Sequence, residues 1–193
     1  ADGTPIDWRL PKPVYSLSQE APHSGSWCLA YSNDDATRYQ LAAIPLALKA
    51  GLRYSFSVWV RTRDVQGSDT GATVCIEWMR ADGSYLGGAY PAGVKGTQAE
   101  WTQVQGTTGT IPSDAASFSL ACYVRKEMTG TAWFDDVSVS EYYPPLLEAM
   151  TSDAYRSVYA GSPARFTLGL TLSQQRLEPD DVTIDVVLND ADG

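Results

Sequence analysis

Tyr54-Ser55-Phe56-Ser57-Val58-Trp59-Val60-Arg61 is the stretch on which the fold turns. A large apolar residue falls at every second position. Successive side chains of an extended chain point to opposite faces, so this period of two reads as a strand with one face in a core. Tyr54, Phe56, Val58 and Val60 take the inward face, and Ser55, Ser57, Trp59 and Arg61 the outward one. The same alternation recurs on both sides. Val74, Ile76 and Trp78 alternate with Cys75, Glu77 and Met79. Phe118, Leu120, Cys122 and Val124 alternate with Ala121, Tyr123 and Arg125. Trp27, Leu29 and Tyr31 share a third inward face.

Working outward, strands are expected at 14–18, 26–32, 39–48, 53–63, 72–80, 102–110, 116–125 and 132–141. Gly, Pro, Asn and Asp clusters at 22–25, 49–51, 81–83 and 112–114, with Thr129-Gly130, punctuate them. Short strands at even spacing indicate an all-β sandwich or jelly roll. The only helix-like register, Leu146, Leu147 and Met150 within 145–151, is too short to carry weight. Composition shifts after Glu141, where Tyr143-Pro144-Pro145 makes a stiff junction. Beyond it Phe166, Leu168, Leu170 and Leu172 alternate, as do Val182, Ile184, Val186 and Leu188. Two such strands cannot close a sandwich. Residues 1–141 therefore read as one jelly-roll domain. Residues 142–193 read as the beginning of an immunoglobulin-like β unit, or a linker to a further domain.

Hydrophobic residues make up 44% of the 193 residues, enough for a real core. The net charge of −9 argues against nucleic acid, whose phosphates require Lys and Arg, and against an anionic membrane surface. A neutral partner such as a glycan is compatible with it. No apolar run approaches the ~20 residues of a membrane-spanning helix. Ala1 in place of an initiator Met suggests a mature or excised piece of a longer chain. Cys28, Cys75 and Cys122 are widely spaced and odd in number. They read as free thiols on strands, with a Cys28–Cys75 disulfide as the alternative.

Several segments, in order, resemble one family. They are Asp2-Gly3-Thr4-Pro5-Ile6-Asp7-Trp8, Ser24-Gly25-Ser26-Trp27-Cys28-Leu29, and Ala50-Gly51-Leu52-Arg53 running into the stretch quoted above. Asp82-Gly83-Ser84, Glu100-Trp101-Thr102-Gln103-Val104, Ile111-Pro112 and Gly130-Thr131-Ala132-Trp133-Phe134-Asp135-Asp136-Val137-Ser138-Val139 follow. Together they resemble the β-jelly-roll (galactose-binding-like) carbohydrate-binding modules of families 4, 9 and 22, which accompany bacterial glycoside hydrolases. The resemblance spans 1–141. It implies a secreted or cell-surface bacterial protein that binds polysaccharide without catalysis and targets a parent glycoside hydrolase to it. A structural spacer or adhesion module with no sugar site is the alternative.

The resemblance also implies a strand order, in which 26–32, 116–125, 53–63 and 72–80 share one sheet. Its outward face would then gather Trp59, Arg61, Glu77, Tyr123 and Arg125. Those residue types suit a sugar: aromatic rings stack on the C–H faces of pyranoses, and planar polar groups bond hydroxyls. Tyr85 and Tyr90, in the loop after the Glu77 strand, could wall the groove. Asp135 shares inward parity with Trp133, Val137 and Val139. A bare carboxylate in a core is costly, and calcium would neutralise it. The resemblance implies the same: the first Asp of Asp135-Asp136-Val137 corresponds to a calcium ligand, with carbonyls from the chain start and the loop at 24–26. A further acidic ligand would come from a segment preceding Asp2. Without the metal, Asp135 would accept backbone N–H bonds from a neighbouring loop.

Catalytic readings find little support. His23 is the only histidine and sits in a Pro-Gly-Ser turn, which makes a Ser-His-Asp set or a histidine metal site improbable. Glu77 and Glu127 could be imagined as paired acids, but nothing in the sequence fixes their separation. Asp180, Asp181, Asp190 and Asp192 read as turn residues.

Overall fold

The computed structural model describes residues 7–143, 147–152, 166–170, 180 and 182–184. The chain divides into two compact units, Ala1–Glu141 and Tyr142–Gly193. The first holds β1 (Tyr15–Ser18), β2 (Cys28–Asn33), β3 (Ala42–Leu46), β4 (Tyr54–Gly67), β5 (Ala72–Met79), β6 (Tyr85–Ala89), β7 (Gly96–Thr107), β8 (Ser117–Val124) and β9 (Met128–Glu141). They form two antiparallel sheets, one in the order β1-β2-β9-β4-β7 and one in the order β3-β8-β5-β6. The all-β jelly-roll sandwich expected from the alternation is present.

The two sheets share one core. The inward sides of the quoted strand (Tyr54, Phe56, Val58, Val60) meet Val74, Ile76 and Trp78 of β5 and Leu120, Cys122 and Val124 of β8. Val58, Val60, Val74, Ile76 and Leu120 are fully buried, each worth about 1.5–3 kcal/mol against exposure. The three cysteines are free and buried.

The strand order differs from expectation. β2 and β4 lie in the five-stranded sheet, whereas β5 and β8 lie in the four-stranded one. Alternation assigns a face to each side chain but no sheet to a strand. Val58 and Val74 pack equally well from opposite sides of the same core. Three local differences follow similar logic. β6 forms although Gly87-Gly88 supplies none of the side chains that mark a strand. Trp27 precedes β2 and is exposed, not inward. In β9, Asp136 adopts a left-handed φ of 45°, and the pairing with β4 slips between Ser57 and Trp59. The slip reverses the parity of the strand. Ala132 and Phe134 face the core, Asp135 does not, and Val139 returns to it.

In the second unit β10 (Leu147–Ser152) pairs antiparallel with β11 (Phe166–Leu170), Met150 opposite Leu168. The helix-like register at 145–151 is thus a strand from Leu147 onward, because its backbone groups find partners on β11. Pro145 and Leu146 lie outside the described residues. Of the strand expected at 182–188, residues 182–184 are irregular and the remainder lies outside the described residues.

Candidate functional site

The outer face of the four-stranded sheet is floored by Thr73, Cys75 and Glu77 of β5 and by Ala121 and Tyr123 of β8. Thr73 sits opposite Tyr123 and Cys75 opposite Ala121. These outward positions are not bare. Cys75, Ala121 and Tyr123 are buried, with Leu41 and Ala43 packed on them. The chain entering β3 lays Tyr39 edge-on against Tyr123, ring centroids 6.3 Å apart at 79°. The chain leaving β6 brings in Tyr90. Gly88 stands opposite Glu77 in the ladder. A Cβ at Gly88 would lie 2.5 Å from the Tyr90 hydroxyl. Its absence lets the Tyr90 ring fold back over β6 and reach Glu77.

The polar groups of this tract are joined. Tyr90 donates its hydroxyl proton to Glu77 Oε1 at 2.7 Å, and the Tyr85 hydroxyl lies 2.9 Å from that of Tyr90. Arg125 Nη2 donates to the carbonyls of Pro91 (3.0 Å) and Tyr90 (3.4 Å). Its guanidinium carbon sits 5.5 Å from the Tyr123 ring centre and 5.9 Å from that of Tyr90. Burial, then the bonds to Tyr85 and Glu77, push the Tyr90 hydroxyl well above the ordinary tyrosine range. Burial followed by the Glu77 charge pushes the Cys75 thiol up to about 12. The Tyr90 hydroxyl and the Cys75 thiol therefore stay protonated at neutral pH. Tyr39, Tyr85 and Tyr90 remain exposed by 44%, 55% and 40%, leaving part of each residue open to solvent. Glu77, Tyr123 and Arg125 of the expected set are thus brought together, with Tyr39, Tyr85 and Tyr90 added.

Trp59 and Arg61 are not with them. They lie on the outer face of the other sheet, opposite Asp135 and Trp133 of β9. There the loop at 19–25 runs across them as a strap. His23 stacks on Trp59, centroids 4.1 Å apart and 15° from parallel, and meets Trp101 edge-on at 5.8 Å. Trp101 Nε1 donates to the Ala21 carbonyl at 3.2 Å, and Arg61 Nη2 donates to that of Glu20 at 2.8 Å. Arg61 also covers the Trp133 ring at 4.4 Å. The groove expected to combine Trp59 and Arg61 with Glu77, Tyr123 and Arg125 therefore does not form, because the two groups belong to opposite sheets.

Asp135 anchors the strap. Its Oδ2 accepts the N–H of His23 (2.8 Å) and of Ser24 (3.2 Å), and its Oδ1 accepts the N–H of Asp136 (2.8 Å). Asp136 accepts the Ser24 hydroxyl proton at 2.6 Å, and its other oxygen lies 2.6 Å from His23 Nδ1. The Ser24 bond first, then His23, holds the Asp136 carboxyl below the usual range. Asp135 was expected in the core beside Trp133, Val137 and Val139. With Ala132 and Phe134 in the core, Trp133 and Asp135 both face outward, and the Asp136 bulge brings only Val139 back to the core. The Asp135 carboxylate meets three backbone N–H donors, two of them from the neighbouring loop. Among the described residues no three His, Cys, Asp or Glu side chains gather to hold a metal.

The signal for the tyrosines was slight. Tyr39 looked like the first residue of a strand, and Tyr85 and Tyr90 like loop residues. From the sequence Tyr85 and Tyr90 are expected only as walls of the groove after the Glu77 strand, and Tyr39 carries no such signal.

No family model and no curated protein matches the chain. Solved structures do share its fold. The CBM22-2 xylan-binding domain of Paenibacillus barcinonensis Xyn10C matches with a TM-score of 0.57 at 14% identity, over 73% of this chain and 95% of that one. The chain has the β-jelly-roll fold of these modules. The CBM22-1 and GH10 modules of Clostridium thermocellum endo-1,4-β-D-xylanase 10B, complexed with xylohexaose, match with a TM-score of 0.53 at 17% identity. That match takes in 81% of this chain but spans only 28% of the xylanase. The enzymatically active domain of the bacteriophage CBA120 tailspike protein 4 also matches, with a TM-score of 0.51 at 13% identity. At these identities the similarity speaks to fold, and one fold hosts several functions.

Proposed function

We propose that residues 1–141 form a carbohydrate-binding module that grips a polysaccharide or oligosaccharide along the Tyr39–Arg125–Tyr90–Tyr85 tract, with Tyr123 buried beneath it. The observation that carries this reading is the tract itself: half-exposed tyrosine rings beside a carboxylate, on the outer face of a jelly-roll sheet. Ring faces stack on sugar C–H faces, and Glu77 and Tyr85 bond hydroxyls. No bond is broken by the module. It raises the local concentration of a tethered glycoside hydrolase at its substrate. The xylan-binding modules that share the fold support this reading. In it the chain belongs to a larger secreted or cell-surface bacterial protein, and the second unit is the start of an immunoglobulin-like β unit leading to further domains.

The spacer reading draws on a separate observation, the strap over Trp59, whose His23 ring stacks on the face of that outward Trp. One experiment separates the two. Calorimetry of the chain against a panel of neutral hexasaccharides (xylo-, cello- and manno-series) should give binding to at least one, and Tyr90→Ala should weaken it. Absence of binding across the panel would favour the spacer, whereas affinity unaltered by Tyr90→Ala would place the sugar site away from the tract.

A further inference from the structure

We propose that the tract reads the direction of hydrogen bonds, so that it accepts neutral glycans with free hydroxyls and rejects O-acylated and carboxylated ones. The inference rests on the glycan reading above. It starts from the chain Tyr85–Tyr90–Glu77, with steps of 2.9 Å and 2.7 Å. A phenol owns one proton, and a carboxylate owns none. Glu77 fixes the end of the chain, so Tyr90 gives its proton to Glu77. The Tyr90 oxygen is then an acceptor, and Tyr85 must give its own proton to Tyr90. Both phenolic protons are spent inside the protein. Tyr85, more than half exposed, offers a ligand only lone pairs, and so does the second oxygen of Glu77.

Arg125 does not reverse this polarity. Bidentate capture of a carboxylate uses two guanidinium edges, and both include Nη2. Nη2 already donates to the Tyr90 and Pro91 carbonyls. The guanidinium is held as a brace between rings, not presented as a fork. At the Tyr85–Glu77 end of the tract a ligand must therefore bring donors. A sugar hydroxyl does. An O-acetyl group or a uronate carboxylate brings only acceptors, and the uronate also meets the charge of Glu77.

The test compares three oligosaccharides of equal length in calorimetry: the neutral hexasaccharide that binds best, its O-acetylated form, and hexagalacturonate. The parent chain should prefer the unsubstituted sugar by about tenfold, the scale of one net hydrogen bond, and give no heat with hexagalacturonate. Glu77→Gln removes the obligatory acceptor, so the amide can donate to Tyr90, the chain can run the other way and the Tyr85 proton becomes available to the ligand. Tyr90→Phe cuts the chain and frees the same proton. Both variants should lose most of the preference, with melting curves confirming that each is folded. Tyr85→Phe removes the terminal oxygen and should lower affinity for the unsubstituted sugar alone. A preference unchanged in Glu77→Gln and Tyr90→Phe, or equal binding of all three sugars by the parent, overturns the directional reading and leaves the glycan reading standing. Binding of no neutral sugar overturns both.

Discussion

The two sheets of the first unit carry outer faces built from similar materials and finished differently. The five-stranded sheet offers Trp59, Trp101, Trp133 and Arg61, by composition the richer sugar-binding set. Its polar edges are turned inward on the strap, where Trp101 and Arg61 both donate to strap carbonyls. The four-stranded sheet offers only tyrosines, yet Tyr39, Tyr85 and Tyr90 keep between 40% and 55% of their surface in solvent. An outward aromatic residue marks a binding face only where the neighbouring loop leaves both its ring and its polar partners available.

The sharpest way to break this comparison is a pair of truncations. Tyr90→Ala removes a ring from the tract and should cost about 2 kcal/mol of binding, the scale of a central aromatic anchor. Trp59→Ala should leave affinity unchanged, because His23 occupies the ring face a sugar would need. It should instead lower stability, by about 0.5–1.5 kcal/mol for the lost aromatic pair plus the area uncovered. Calorimetry and melting of both variants decide it. A Trp59→Ala chain that folds normally but loses as much affinity as Tyr90→Ala would show that the strap opens and the comparison fails.

The next effect belongs to the strap's anchor. Asp135→Ala leaves the N–H groups of His23, Ser24 and Asp136 without their acceptor. The donors are exposed and water can replace the acceptor, so the expected loss is about 0.5–1.5 kcal/mol. For a chain of this size, each kcal/mol lowers the melting temperature by about 2–4 °C. A chelator should leave the melt of the parent unchanged. If chelation lowers the melting temperature and added calcium restores it, Asp135 holds a metal and the hydrogen-bonded account of the strap is wrong.

Much of the fold was legible because burial enforces a period of two. Tyr54 to Val60 and Phe118 to Val124 took the faces that their apolar positions demanded. What alternation could not convey was which sheet each strand joined, and the candidate site failed at that step. Tyr123 and Arg125 share a face by the spacing of one strand, whereas Glu77 stands opposite Ser119, four positions along the ladder from the Thr73–Tyr123 pair, and joins them through Tyr90. Trp59 and Arg61 reached them only through an assumed strand neighbour. The Asp136 bulge hid a second fact. One residue with a left-handed φ inverts the parity of everything after it, so Asp135 and Val139, both assigned inward by counting, face opposite ways. The positions of Tyr39 and Tyr90 depend on loop paths that no periodicity encodes.

The smallest expected effect sharpens the comparison from the strap side. The Asp136 carboxyl accepts the Ser24 hydroxyl and meets His23 Nδ1, and its pKa is held below the ordinary value of 3.8. A group with a depressed folded-state pKa contributes stability that is complete above the unfolded value and is lost as pH falls through the folded one. The contribution of Asp136 should therefore be constant above about pH 5 and fade below about pH 4. Its size is limited, because 38% of the side chain is exposed and water screens it. Asp136→Asn isolates the charge while keeping the shape. Melting temperatures of the parent and the variant should differ by a small, constant gap at neutral pH and converge on acidification. A gap that widens as pH falls has the opposite sign. It would mean that the protonated carboxyl is the better strap partner, so that the ionised Asp136 does not hold the loop over Trp59.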